Sequence, residues 1–173
     1  MSLTLQTLFD SHALSSFAKQ RHLNELVGED DWDLDLETAA LSFSSGKTWK
    51  IQLLGSESFV SDTWLWAWAN DQSDLPPDVL QLSERVRAFG EEHDIDELTQ
   101  PDIPLDWGDG HMMSLIALGI CNATAYYRCP HDNGAVFVVI DDKSFPQPAV
   151  SPSTLNQRGQ DSLIYGSRVV SLF

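Results

Sequence analysis

The stretch of sequence that decides the fold is Thr63-Trp64-Leu65-Trp66-Ala67-Trp68-Ala69-Asn70. Side chains at alternate positions of a β-strand point to the same face of its sheet. The block therefore predicts a central strand, with Trp64, Trp66 and Trp68 in one aromatic row and smaller apolar side chains behind it. Because three exposed indoles would leave a large apolar patch on the surface, we expect the row to pack in the core, with one indole lining a cleft.

Hydrophobic periodicity organises the chain on either side of this block. Apolar residues at three- and four-residue steps predict an amphipathic helix over residues 3–27, and similar patterns predict helices over 76–89 and 110–121. Alternating patterns and turn residues predict further strands within residues 31–43, 48–54, 123–129 and 135–140. The acidic connection over residues 91–109 has room for a short helix.

Together these elements predict one α+β domain over residues 1–173. Its mostly antiparallel sheet has about six strands, and the helices pack mainly on one face. The sheet and the two later helices occupy residues 31–141, and an irregular extension follows over 142–173. Within that extension, residues 153–164 have the composition of a polar helix and residues 169–173 that of a closing strand.

Charge is the strongest compositional feature of the chain. It has 26 Asp and Glu residues against 10 Lys and Arg, a formal net charge of −16. Such a surface repels nucleic acid and anionic lipid and attracts basic proteins. Six carboxylates fall in residues 29–37 and eight in residues 91–109. The start of the chain has no leader pattern and no apolar run reaches about 20 residues. We therefore expect a cytoplasmic protein that binds neither membrane nor nucleic acid.

No metal or cofactor motif is recognisable in the sequence. The run Asp31-Trp32-Asp33-Leu34-Asp35 has calcium-loop spacing but lacks the glycine and the bidentate glutamate that such a loop requires. The sequence also has no phosphate loop, dinucleotide fingerprint or nucleophile elbow. Two cysteines, Cys121 and Cys129, are too few for a disulfide scaffold, and whether they pair is left open.

The best acid–base cluster in the sequence is Asp106, Asp109 and His111, at the start of the helix predicted over 110–121. A carboxylate is favoured at a helix N-terminus, and a histidine there can act in general acid–base catalysis. Asp109 is also a suitable N-cap, and capping alone explains the residue. We therefore prefer a non-catalytic interpretation of this cluster.

Several further segments accompany the tryptophan block in a pattern that resembles a known family. They are Leu54-Gly55-Ser56-Glu57-Ser58, Pro101-Asp102-Ile103-Pro104-Leu105, Gly110-His111 and Ala125-Tyr126-Tyr127-Arg128. With the T-W-L-W-A-W-A-N block, they resemble an uncharacterised bacterial family over about residues 30–140. The resemblance implies a fold and a bacterial cytosolic origin. It implies no activity and no catalytic residue.

Three hypotheses for function follow from these features. The preferred one is a non-catalytic binding protein whose acidic surface engages a basic protein, as an immunity-type inhibitor of a toxin would. The second is a small-ligand pocket or weak enzyme, with Trp64, Trp66 or Trp68 as its wall and Asp106, Asp109 and His111 at its mouth. The third is self-association into a homo-oligomer through the apolar residues 169–173.

Overall fold

The computed structural model describes residues 2–148 and confirms the α+β fold class. The sheet has seven strands rather than about six, because the acidic connection contributes a short strand that periodicity does not reveal. The predictions for residues 153–164 and 169–173 lie outside the described residues. In chain order, the elements are α1 (Leu5–Val27), β1 (Trp32–Asp35), β2 (Ala40–Phe43), β3 (Thr48–Ser58), β4 (Thr63–Trp66), α2 (Gln81–His93), α3 (Asp96–Thr99), β5 (Asp102–Pro104), α4 (Gly110–Cys121), β6 (Ala125–His131) and β7 (Gly134–Ile140).

The long strand β3 organises the sheet. Its first residues pair with β2, its last four pair with β4, and residues 51–58 pair with β7. The outer strands β1, β5 and β6 pair with β2, β4 and β7, and every pair is antiparallel. The register with β7 shifts between Leu53 and Gly55, which makes Leu54 a bulge. A bulge bends its strand, and this one lies where the partners of β3 change.

The helices pack mainly on one face of the sheet, as predicted, although Leu23 and Val27 at the end of α1 belong to the core of the other face. The face with most of the helical side chains holds α2, α4 and the first part of α1. There, Trp64, Trp66 and Phe137 of the sheet join buried side chains such as Val86 of α2 and Ile116 of α4. The opposite face has its own core, built on Trp49 and Val138. The sheet curls over this second core. The curl brings the Phe43 ring of β2 edge-on against the Tyr127 ring of β6, with the ring centres 5.2 Å apart. Both faces of the curled sheet are therefore buried.

The tryptophan block forms a shorter strand than predicted. β4 ends at Trp66, and Ala67–Ala69 form a 3₁₀ turn. Trp64 and Trp66 are fully buried, with their rings edge-to-face at 5.4 Å, so the expectation of core packing is confirmed for these two. Trp68 is not part of the predicted row, because the turn takes it out of the strand, but its half-buried side chain still packs against the core. The physical reason is that β4 pairs with β3 only as far as Gly55, next to the bulge at Leu54.

The helix predicted over residues 76–89 also differs from the observed one. Residues Pro77–Val79 form a separate 3₁₀ turn, and α2 runs from Gln81 to His93. Gly90, the residue that follows the predicted helix, lies buried inside the observed one. A Cβ on Gly90 would come within 2.6 Å of the Leu98 Cβ, so this glycine permits close packing of α3. The helix ends at His93 and is followed by its C-cap Asp94, whose φ of 55° is left-handed.

Candidate functional site

The three residues of the predicted acid–base cluster do not form one site. Asp109 is the N-cap of α4, and its carboxylate accepts a 2.9 Å hydrogen bond from the Met112 backbone N–H. His111 is half-buried, and its Nδ1 lies 2.8 Å from the Tyr126 hydroxyl. Asp106 is exposed and lines a separate depression with Asp62 and Asp102. The capping prediction for Asp109 is confirmed, whereas Asp106 belongs to a different surface.

Glu57 of β3 belongs to the polar group around His111, although the sequence does not single it out. It is 5% exposed, and its Oε1 accepts a 2.7 Å hydrogen bond from the Gly110 backbone N–H at the start of α4. Burial raises the pKa of Glu57, and the Asp109 charge adds to this effect. The Gly110 hydrogen bond and the Arg128 charge oppose it. Sequence reasoning missed Glu57 because the strand was predicted only over residues 48–54, whereas β3 continues to Ser58.

Burial also shifts the pKa values of the two aromatic members of this group, His111 and Tyr126. It lowers the pKa of His111, with a further lowering by Arg128 that Asp109 opposes. It raises the pKa of Tyr126 strongly, with smaller contributions from the charges of Asp109 and Glu57. An uncharged imidazole and an uncharged phenol therefore share the 2.8 Å contact near neutral pH. The arrangement of Glu57, His111 and Tyr126 explains how the start of α4 is held on the sheet.

The tryptophans proposed as a pocket wall lie in different environments. Trp64 and Trp66 are 0% exposed, and the Trp66 Nε1–H donates to the Glu97 carbonyl at 3.0 Å. Both side chains are packed inside the core. Trp68 is half-buried, and the Arg87 guanidinium lies 4.3 Å from the centre of its ring. These positions do not support the pocket hypothesis for Trp64 and Trp66.

The exposed apolar side chains of the described residues concentrate at one end of the sheet. Large hydrophobic residues with high exposure are Leu14, Phe59, Val60 and Trp107. Phe59 and Val60 form the β3–β4 turn, and Trp107 lies in the β5–α4 connection. A 3.0 Å hydrogen bond from the Leu105 N–H to the Asp62 carbonyl joins these two segments. Leu14 lies apart from them, on α1.

Exposed carboxylates lie in the same segments as Phe59, Val60 and Trp107. Residues 91–109 hold eight carboxylates and no Lys or Arg, and all except Glu97 are exposed. Asp62, Asp102 and Asp106 line the depression of about 450 Å³ beside the β3–β4 turn. Asp94 and Asp96 line a cleft of about 800 Å³ with Trp107. We call this region the acidic–aromatic surface, and define it by its exposed members: Phe59, Val60, Asp62, Asp94, Asp96, Asp102, Asp106 and Trp107.

The acidic segment over residues 29–37 has a different setting. It follows the last turn of α1, whereas the first turn of α1 borders the cleft beside Trp107. At 1.5 Å per residue, the 23 residues of α1 separate the two regions by about 34 Å. Asp33 and Asp35 are exposed on the edge strand β1, where charges discourage pairing with another chain. No large exposed hydrophobic residue of the described chain lies in this segment. The acidic segment over residues 29–37 therefore provides a control for the acidic–aromatic surface.

Residues 2–148 contain neither a cluster suited to metal binding nor a disulfide. No group of three or more His, Cys, Asp or Glu residues there is placed to hold a metal ion. Cys121 and Cys129 are both buried free thiols, packed in the two different cores. Burial raises the pKa of both thiols, that of Cys129 to about 12. Among the same residues, no helix combines the length and apolar character that a membrane span needs.

Helices mainly on one face of a curled antiparallel sheet, with carboxylates and exposed apolar residues at one end, define an α+β domain with a polarised surface. The chain belongs to the Family of unknown function (DUF6882), whose profile matches residues 6–143. The match extends from the second residue of α1 to just beyond β7, so it includes all seven strands and nearly all of the helical residues. No curated protein and no solved structure matches the chain.

Proposed function

We propose that the protein is a non-catalytic binding protein whose acidic–aromatic surface engages a basic protein partner. One observation carries the proposal: exposed Phe59 and Val60 lie in the β3–β4 turn with exposed Asp62, and Asp62 shares a depression with exposed Asp106, the residue before exposed Trp107. Large apolar anchors inside a charged rim have the composition of a protein interface. A tryptophan contributes strongly to such an interface because its ring buries a large area with few rotatable bonds.

The charge of this surface favours a partner of opposite sign. Within residues 91–109, Glu91 forms an ion pair with Arg87 and Asp109 caps α4, so both have partners inside the protein. Asp94, Asp96, Asp102 and Asp106 point to solvent and have no ion pair among the described residues. Long-range attraction would speed the encounter with a basic protein and make binding sensitive to salt.

An immunity-type inhibitor that covers a basic toxin is the kind of protein this surface fits. Such an inhibitor works by occupying its partner, so it needs no catalytic residue of its own. The proposal includes a cytoplasmic location, which two free thiols suit because reducing compartments keep cysteines unpaired.

Two variants with equal changes in charge test the proposal. The surface variant converts four exposed carboxylates to amides: Asp94→Asn, Asp96→Asn, Asp102→Asn and Asp106→Asn. The control variant does the same in the other acidic segment: Glu29→Gln, Asp31→Asn, Asp33→Asn and Glu37→Gln. Each variant and the wild type serve as bait in extracts of the cells that make the protein. A carbodiimide then couples carboxylates to lysine amines at zero length, and mass spectrometry locates the bonds.

We expect a partner of high isoelectric point that binds the wild type and the control variant but not the surface variant. It should bind at about 50 mM salt and dissociate at about 500 mM salt, because screening shortens the range of the attraction. Its lysines should be coupled to carboxylates of the acidic–aromatic surface. Equal loss from both variants would show that net charge alone attracts the partner. Coupling confined to residues 29–37 would also refute the proposal.

A further inference from the structure

The cleft beside Trp107 has walls from three parts of the fold. Residues 2–5 at the start of α1 form one wall, residues 93–97 at the junction of α2 and α3 form another, and Trp107 completes the lining. The first wall is held by reciprocal hydrogen bonds between Thr4 and Thr7, which cap α1. The second is held by the Ile95 N–H, which donates to the Gly90 carbonyl at 2.9 Å. The cleft is therefore built from ordered elements.

The groups in this cleft are suited to a cation. Trp107 is 51% exposed, so part of its ring is available to a partner. Three acidic residues, Asp94, Asp96 and Glu97, line the same cleft, and among residues 2–148 no Lys or Arg lines it. A guanidinium can stack on an indole and bind carboxylates with its planar set of donors, whereas an ammonium offers only a compact charge.

The same combination occurs within this chain. The Arg87 guanidinium lies 4.3 Å from the centre of the Trp68 ring, and its Nε lies 3.1 Å from the Glu91 carboxylate. An arginine held between an indole and a carboxylate is thus a packing that this fold already uses. The cleft beside Trp107 offers the indole and the carboxylates without the arginine.

We propose that this cleft binds an arginine side chain of the basic partner, with its guanidinium stacked on Trp107 and paired with carboxylates of residues 94–97. This inference rests on the proposed function and adds the position and chemistry of one anchor. The cleft has a volume of about 800 Å³, which accommodates the arginine side chain and the neighbouring backbone of the partner.

The test uses a capped peptide of alternating arginine and glycine, with citrulline and lysine versions for comparison. Citrulline keeps the shape of arginine without its charge. The indole N–H signals of the ¹⁵N-labelled full chain are followed during titration, and that of Trp107 is assigned from Trp107→Phe. We expect the arginine peptide to shift the Trp107 signal and to bind more tightly than both comparison peptides.

Three variants complete the test. Trp107→Ala should weaken binding by about two- to fivefold, the range for an exposed cation–π contact, and Trp107→Phe should retain part of the affinity. Leu14→Ala, which removes an exposed apolar side chain outside the surface, should change nothing. An unshifted Trp107 signal, equal binding of the citrulline or lysine peptide, or equal weakening by Leu14→Ala would overturn the inference. The carbodiimide experiment tests the proposed function independently. If the peptides do not bind but the partner's lysines are coupled to the acidic–aromatic surface, only the arginine anchor is refuted.

Discussion

The Glu57 carboxylate and the Gly110 backbone N–H form a 2.7 Å hydrogen bond that joins the middle of the sheet to the first residue of α4. Gly110 is required for this approach, because a Cβ there would come within 2.4 Å of the Phe137 ring. The contact combines a helix N-terminus, which favours negative charge, with burial, which disfavours it. Burial has the larger effect, so the pKa of Glu57 is raised.

This balance predicts that Glu57→Gln stabilises the protein at neutral and higher pH. A glutamine oxygen can still accept the Gly110 hydrogen bond, but it carries no buried charge. Since the folded-state pKa of Glu57 is raised above 4.5, folding favours its protonated form. That contribution to wild-type stability is present below the unfolded pKa and is lost as the pH rises through the raised value. The advantage of the variant should therefore appear as the pH increases.

Urea denaturation of both proteins at about pH 4 and about pH 8 measures this difference, and comparison within each pH cancels the other titrating groups. Glu57→Leu is the control, because it removes the acceptor as well as the charge. Leaving the buried Gly110 N–H unsatisfied should cost about 1–3 kcal/mol. A Gln variant whose relative stability does not depend on pH would contradict the role assigned to Glu57.

Removal of the α4 cap should destabilise the domain modestly. Asp109→Ala loses the hydrogen bond from the Met112 N–H and should lower the free energy of unfolding by about 1 kcal/mol. Asp106→Ala removes a neighbouring exposed carboxylate without a cap and should stay within about 0.5 kcal/mol of the wild type. Thermal unfolding of the two variants is the measurement. Equal Tm values would show that the cap contributes little.

Gly55 should tolerate no side chain while Trp64 is present. A Cβ on Gly55 would lie 2.4 Å from the Trp64 ring and 2.5 Å from the Leu65 carbonyl oxygen. Gly55→Ala should therefore destabilise the protein by about 1–3 kcal/mol, the usual range for overpacking. Combining it with Trp64→Phe, which shortens the ring, should relieve part of the strain. A double-mutant cycle on denaturation free energies measures the coupling. Strict additivity would place the strain elsewhere.

Both cysteines should react slowly with a thiol reagent while the protein is folded. Cys121 and Cys129 are buried, and burial raises the pKa of each, so little of either reactive thiolate forms near neutral pH. The disulfide reagent DTNB should report two thiols promptly in denaturant and much slower release without it. Rapid reaction of the folded protein would mean that one core opens readily.

Local patterns in the sequence were sufficient for the fold class and for most elements. The α4 bounds, the strands within residues 31–43 and the burial of Trp64 and Trp66 agree with the predictions. Side-chain periodicity and capping residues depend on neighbours a few positions away, which explains this success. The prediction that Asp109 caps α4 succeeded for the same reason.

Only the tertiary structure decided where β4 ends, why Gly90 lies inside α2, and which polar residues meet. Glu57 and Gly110 are 53 residues apart in sequence, and their contact depends on how β3 and α4 pack. The cleft beside Trp107 likewise draws on residues 2–5 and 93–97. Periodicity shows which face of an element is apolar, but not which distant residues will lie beside it. The way the elements pack determines which distant residues meet. The sequence by itself therefore determined most of the elements, whereas tertiary packing decided which residues come together on the surface.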